Sequence, residues 1–253
     1  MLASIAMPQS VYAFDQDHMS FARVLTQSVK TNGASSEVHY AALKKSPGDL
    51  SKYLAEVESA SKAEFDSMSK NDRLAFLINA YNALTLKLVV DHYPVKSIKD
   101  IGGHFGNPWK NQFFSLLGER HSLDDVEHKM IRPVFHEPRI HFALVCASRG
   151  CPRLYDKPFV GSSLEKQLDD AQRTFLGDSS KNQYLSAENT FSVSSIFKWY
   201  GEDFEQKFGS VKNFLATQMV MQAPPLKESI EKAKLNFKDY DWSLNEARDE
   251  SGI

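Results

Sequence analysis

The stretch from Ser69 to His92, SKNDRLAFLINAYNALTLKLVVDH, decides the fold. Leu74, Leu77, Ile78, Tyr81, Leu84, Leu88 and Val89 recur at helical spacing, and Ala75, Phe76, Ala80 and Ala83 fill the other faces. A helix with almost no polar side offers nothing to water, so it belongs in the middle of a core. Tyr93-Pro94 stops it, because the residue before a proline is pushed out of the helical region. Asn79 and Asn82 interrupt the apolar run three residues apart, on one face. A buried amide without partners costs roughly 1–3 kcal/mol. Both are expected to bond to nearby loop backbone; the functional alternative is that one orients a histidine or binds substrate.

Outward from that helix the periodicity predicts further helices over Phe14 to Lys30, Asp49 to Ser59, Leu123 to Ile131, Ser163 to Leu176, Ile196 to Phe208 and Val211 to Met221. Ser122 caps the third, and Arg132-Pro133 closes it. Strands are expected at Gln112 to Leu117, at Arg139 to Cys146, and in a hairpin of Gln183 to Ala187 with Thr190 to Val193. Gly118-Glu119-Arg120 reads as a turn and the tail beyond Pro224-Pro225 as short and extended. With no repeat and no linker, the simplest architecture for residues 14–253 is one helix-rich α+β domain around a small, mainly antiparallel sheet.

The second informative stretch is RIHFALVCASRGCP, Arg139 to Pro152. It gathers His141, Cys146, Ser148, Arg149 and Cys151 at one strand end and the loop after it, a common place for a site. If Pro152 opened a helical turn, Cys151 would be its N-cap, and the helix end together with Arg149 and Arg153 would favour a thiolate. Such a cysteine can act as nucleophile with a histidine base. On a flat strand His141 and Cys146 would face opposite sides, so His141 reaches Cys151 only if the loop folds back. His128, next to Glu127 on the preceding helix, is the other candidate base, and Glu127 is a carboxylate able to orient an imidazole. All eight histidines precede Cys146, the reverse of the papain-like order. Three other readings stand beside this one. The two cysteines can pair as a structural or redox disulfide, His141 can be a core histidine, or His128, His141, Cys146 and Cys151 can hold a metal. The last lacks the paired spacing of zinc sites. Trp199 and Tyr200 read as core, and Glu202 and Asp203 as surface, with a position in a cleft as the alternative.

The 253 residues carry a net charge of -2, with both signs spread along the chain. That gives no reason to expect nucleic acid as a partner; a small molecule or peptide is the expected one, without a cofactor or metal. At the N-terminus, Leu2 to Met7 is apolar, and Val11 and Ala13 fit a signal-peptidase site with cleavage after Ala13. Residues 1–13 are therefore expected to be the tail of a signal peptide, and the domain periplasmic or secreted. Beyond it, no stretch is expected to supply the ~20 apolar residues of a membrane-spanning helix.

Several segments together resemble a family known as domain of unknown function 547. They are Ala75 to Leu84, Tyr93 to Ile98, Ser122 to His128, Arg139 to Pro152, Phe197 to Phe204 and Tyr240 to Asn245. The resemblance implies a shared fold and a shared site but supplies no catalytic assignment. It adds weight to Asn79, Asn82, Glu127, His128, His141, Cys146 and Cys151, which fall inside the matching segments. Two functions follow. One is an exported cysteine-dependent hydrolase or acyl-transferase. Its nucleophile is Cys151 or Cys146, and its base is His141 or His128. Glu127 or an Asn orients that base, and the amides of Ser148 to Cys151 form an oxyanion hole. Asn79, Asn82, Ser148 and Arg149 are its candidate substrate-binding residues. The other is a non-enzymatic binding domain stapled by Cys146–Cys151.

Overall fold

The computed structural model describes residues 14–102, 106–219 and 227–247. The expected signal-peptide remnant, 1–13, and Pro224-Pro225 lie outside the described residues. Helix α1 (Met19–Ser28) runs directly into strand β1 (Val29–Asn32). That strand pairs antiparallel with β2 (Ser35–Val38) around Gly33, whose φ of +56° suits a residue without a side chain. Helices α2 (Tyr40–Lys45), α3 (Gly48–Ser59) and α4 (Lys62–Ser67) then surround α5 (Lys70–His92). The N-terminus of α5 is capped by the Ser69 hydroxyl, which accepts from the Asp72 amide at 3.1 Å.

The central placement of α5 is as expected: every residue from Leu74 to Leu86 is buried. Each large apolar side chain among them contributes about 1.5–3 kcal/mol of burial. In contrast to the expectation above, α5 is long and apolar enough to cross a bilayer, with a mean hydropathy of 1.3. Yet 89% of that window is buried inside the protein, as in a core helix.

The rest of the chain adds strands β3 (Phe114–Leu116) and β4 (Glu119–His121), an antiparallel pair. Residues 119–121 are thus strand rather than turn. Helix α6 (Leu123–Asp125), capped by Ser122, continues as a π-helical stretch (Val126–Ile131) into α7 (Arg132–Phe135). Arg132-Pro133 does not end the helix as expected. The Arg132 amide bonds five residues back to Glu127, Pro133 needs no amide partner, and the His136 amide closes the last turn on Arg132. Helix α8 (Leu164–Leu176) follows. Strands β5 (Gln183–Leu185) and β6 (Thr190–Ser194) form the expected hairpin. The predicted helix over 196–208 is split at Tyr200 into α9 (Ile196–Trp199) and α10 (Gly201–Phe208). Helices α11 (Val211–Met219) and α12 (Lys227–Lys232) lead to β7 (Lys234–Lys238), which lies parallel to β6. The architecture is helix-rich α+β. Its strands form three small sheets, mainly antiparallel, rather than one.

The main correction concerns Arg139 to Cys146, which forms no strand. Pro138–Phe142 is a 3-10 turn and the following residues are irregular. The backbone groups that a neighbouring strand would have satisfied are taken by the Asn82 side chain. Its Nδ2 donates to the Ala143 carbonyl at 3.0 Å and its Oδ1 accepts from the Val145 amide at 3.0 Å. The segment is apolar on all sides because it runs between two cores. Ile140, Ala143, Leu144 and Val145 pack with α5, whereas Phe142 packs with Phe175, Phe197, Phe204 and Phe214. Burial on every side leaves no period by which strand and coil differ.

Candidate functional site

A cavity of about 210 Å³ opens where the seam between the cores meets the C-terminal tail. Glu127 and His128 from the π-helical stretch, His141 from the 3-10 turn, and Cys146 and Cys151 from the loop after it all line this cavity. Irregular helical hydrogen bonding of this kind often marks a functional position. The sequence candidates therefore converge, although His141 reaches the cavity from a turn and not from a strand face.

The His141 ring is buried and stacked on Tyr200 with centroids 3.9 Å apart. Its Nε2 lies 2.7 Å from Asp203 Oδ2, and its Nδ1 lies 4.0 Å from Glu127 Oε1. Burial pushes the imidazole below its ordinary pKa, and hydrogen bonding to Asp203 offsets this only in part. A neutral ring that donates from Nε2 to a carboxylate keeps Nδ1 as its acceptor. Asp203 is itself held by Arg132, which donates from Nε and Nη2 at 2.8 Å each. Burial pushes the Asp203 carboxyl up, but the hydrogen bonds from His141 and Arg132 outweigh it and hold the group below the usual carboxylate range.

Of the two positions open to Asp203, the structure shows the one in a cleft and not the one on the surface: it faces His141. The choice escapes a sequence reading because Glu202 and Asp203 open α10 as any helix-starting acids would, and only the packing of α10 on the 3-10 turn separates them. Glu127 is more than nine-tenths buried. It does not hold His141 as closely as Asp203 does, and it accepts from Tyr81 Oη at 3.4 Å. His128 is a weaker candidate base, since its Nδ1 lies 2.8 Å from Arg132 Nη1 and its ring is partly in solvent.

Cys146 and Cys151 are joined as a disulfide with Cα atoms 6.2 Å apart. Cys151 is buried; Cys146 is partly exposed. No helix follows Pro152, so Cys151 is not a helix cap. Arg149 bonds Glu37 and the Glu246 carbonyl, and Arg153 bonds the Gly33 carbonyl and lies over Tyr155; neither sulfur is among these partners. Other donors surround the sulfurs instead. Tyr240 Oη lies 3.1 Å from Cys146 Sγ and 3.3 Å from Cys151 Sγ. Ser148 Oγ lies 3.1 and 3.4 Å from the same atoms, and the Cys146 amide donates to Cys151 Sγ at 2.8 Å. Three of the four loop amides expected to form an oxyanion hole are engaged elsewhere. The amides of Arg149, Gly150 and Cys151 are bonded to the carbonyls of Ser243, Asp241 and Ser148.

Two candidate substrate-binding residues are structural. Asn79 gives both ends of its amide to Phe159 backbone, at 2.7 and 2.9 Å, and Asn82 pins the 143–145 segment. Both are fully buried and neither lines the cavity. Ser148 and Arg149 line a second, polar cavity of about 440 Å³ on which Cys151 and Tyr240 also border. Among the described residues no group of three or more His, Cys, Asp or Glu is arranged to hold a metal ion.

The tail completes the site. Amides of Leu244, Asn245 and Ala247 bond to Lys96, Ala147 and Val38, which stitches 240–247 across the chain and brings Tyr240 and Trp242 to the cavity wall. Trp199 is 45% exposed there, contrary to the expected core position. A family model described as "Protein of unknown function, DUF547" matches residues 65–176, the span that holds α5, Glu127, His141 and both cysteines. The resemblance to DUF547 is thereby shown over residues 65–176. The DUF547 match stops short of Asp203, Tyr240 and Trp242. No curated protein and no solved structure matches the chain.

Proposed function

We propose that this protein is an exported thiol-dependent hydrolase or acyl-transferase with Cys146 as nucleophile, His141 as base and Asp203 as the group that positions the base. The observation that carries this reading is a single cavity lined by both cysteines and by His141, whose buried imidazole is held through Nε2 by a carboxylate. Cys146 is preferred to Cys151 because it is the more exposed of the two. An external dithiol would first reduce the Cys146–Cys151 bond, giving two thiols and its own disulfide. Cys146 would then pass its proton to His141 and attack a carbonyl carbon, forming a thioester as the proton leaves on the departing amine or alcohol. Water or an acceptor nucleophile would give a proton to His141, attack the thioester and release the acyl group, and the proton would return to the Cys146 sulfur. The Tyr240 and Ser148 hydroxyls are placed to donate to a sulfur anion. Export, expected from the N-terminus, accords with a compartment in which a disulfide persists.

The second reading, a non-enzymatic binding domain with a disulfide staple, is favoured by the bonded state of the two sulfurs. A screen of esters and dipeptide amides with oxidised protein, reduced protein, and reduced Cys146→Ser and Cys151→Ser separates the two. A hydrolase turns over only when reduced, keeps activity without Cys151 and loses it without Cys146. No turnover in the reduced wild type, combined with a stability loss of roughly 2–4 kcal/mol on reduction, supports the staple instead.

A further inference from the structure

The cavity is ringed by aromatic side chains and carries more acid than base. Trp199, Tyr240 and Trp242 form a contiguous wall with centroids 4.6–5.6 Å apart. Trp109 extends this wall at 5.8 Å from Trp242. Glu127 and Asp124 line the same space. Of the nearby cations, Arg132 is bound bidentately by Asp203, Lys129 pairs with Asp125 at 2.6 Å, and Lys99 lies over the Trp242 ring. Asp124 lies 3.8 Å from His128 Nε2 and also acts through space on Lys129, whose close partner is Asp125. Glu127 is more than nine-tenths buried, and its hydrogen-bond partners are the neutral hydroxyls of Tyr81 and Tyr200. Arg132 also acts on Glu127 through space, but its own hydrogen bonds go to Asp203 and His128. A buried carboxylate with no cation hydrogen-bonded to it is costly, so it is a reason to look for a cation that arrives from outside.

We propose that this cavity recognises a positively charged amine on the ligand, an ammonium held by Glu127 and Asp124 with its carbon substituents against the faces of Trp199, Tyr240 and Trp242. Aromatic faces attract cations through the ring quadrupole, most strongly where water is displaced. The wall already does this for a side chain of the protein itself, since Lys99 Nζ sits 3.7 Å from the Trp242 ring centroid. At about 210 Å³ the cavity is below the size that encloses a drug-sized molecule, so it takes one head group or side chain of a longer ligand. This names the substrate class of the hydrolase proposed above and rests on that reading only for turnover. Binding itself is independent of the cysteines.

The test is calorimetric titration of the full chain, oxidised wild type and Cys146→Ser, with benzyltrimethylammonium and with its neutral carbon isostere, neopentylbenzene, at matched concentrations. The cation is expected to bind at least tenfold more tightly than the isostere to both proteins. Glu127→Gln, which keeps an acceptor for the two tyrosines, and the more exposed Asp124→Asn should each weaken the cation about tenfold and leave the isostere unchanged. Trp199→Leu should weaken the cation as well. Equal affinity for cation and isostere, absence of binding to either, or indifference of the cation to both acid substitutions overturns the proposal. Binding by Cys146→Ser without turnover by the reduced wild type removes the hydrolase reading and leaves the amine site standing.

Discussion

Replacing Asn82 by Ala tests the central structural claim, that one side chain on α5 does the work of a missing strand. The native amide makes two hydrogen bonds of 3.0 Å, to the Ala143 carbonyl and from the Val145 amide, in a place sealed from water. The truncation removes both bonds and leaves two buried backbone groups unpaired, at about 1–3 kcal/mol each. The expected loss is therefore about 2–6 kcal/mol, a large part of the ~5–15 kcal/mol that holds a typical domain together. Urea unfolding followed by tryptophan fluorescence measures it. Because His141 and Cys146 flank the pinned segment, the variant should also lose amine binding in the cavity under conditions where it is folded. Asn79→Ala is the control. It gives up the equivalent pair of bonds to Phe159, at 2.7 and 2.9 Å, and should cost a similar amount while leaving cavity binding intact. A loss below about 1 kcal/mol for Asn82→Ala, or equal effects of the two substitutions on binding, would refute the reasoning.

Burial holds the His18 imidazole at about 4 against an ordinary 6.5. Between those values the unfolded chain binds a proton that the folded one declines. Stability is thus complete above pH 6.5 and falls by roughly 3 kcal/mol as the pH drops through 4. Unfolding midpoints at pH 7 and 4.5 should differ less for His18→Gln; an unchanged difference tells against it. In Asp203→Asn the His141 imidazole loses a neighbour that raises its pKa, so its titration should move lower still by NMR, and a move upward would be inconsistent with the pair described. Breaking this mostly buried set should also cost roughly 3 kcal/mol, because Arg132 loses its bidentate partner. A Cβ added at Gly150 would meet the Tyr240 ring at 2.9 Å, so Gly150→Ala must displace that ring from the sulfurs. Its expected effects are a loss of about 1–3 kcal/mol and faster reduction of Cys146–Cys151 by dithiothreitol, and wild-type behaviour in both would contradict the contact.

What the sequence by itself determined is what local periodicity and capping encode. Leu74 to Val89 could only be a core helix because it has no polar face, and Ser69 and Ser122 mark helix starts through hydroxyls that serve backbone amides within their own turn. The clustering of His141, Cys146 and Cys151 was equally legible, since residues ten apart in a short loop remain neighbours. Tertiary structure decided the rest. Arg139 to Cys146 is apolar on every side, as a strand covered on both faces would be, yet two of its backbone groups bond to Asn82, more than sixty positions away. Asp203 and Tyr240 meet His141 and the sulfurs across separations of 62 and 94 residues. Such partnerships leave no periodic trace, because they depend on how α10 and the tail pack against the two cores and not on the residues beside them in the chain.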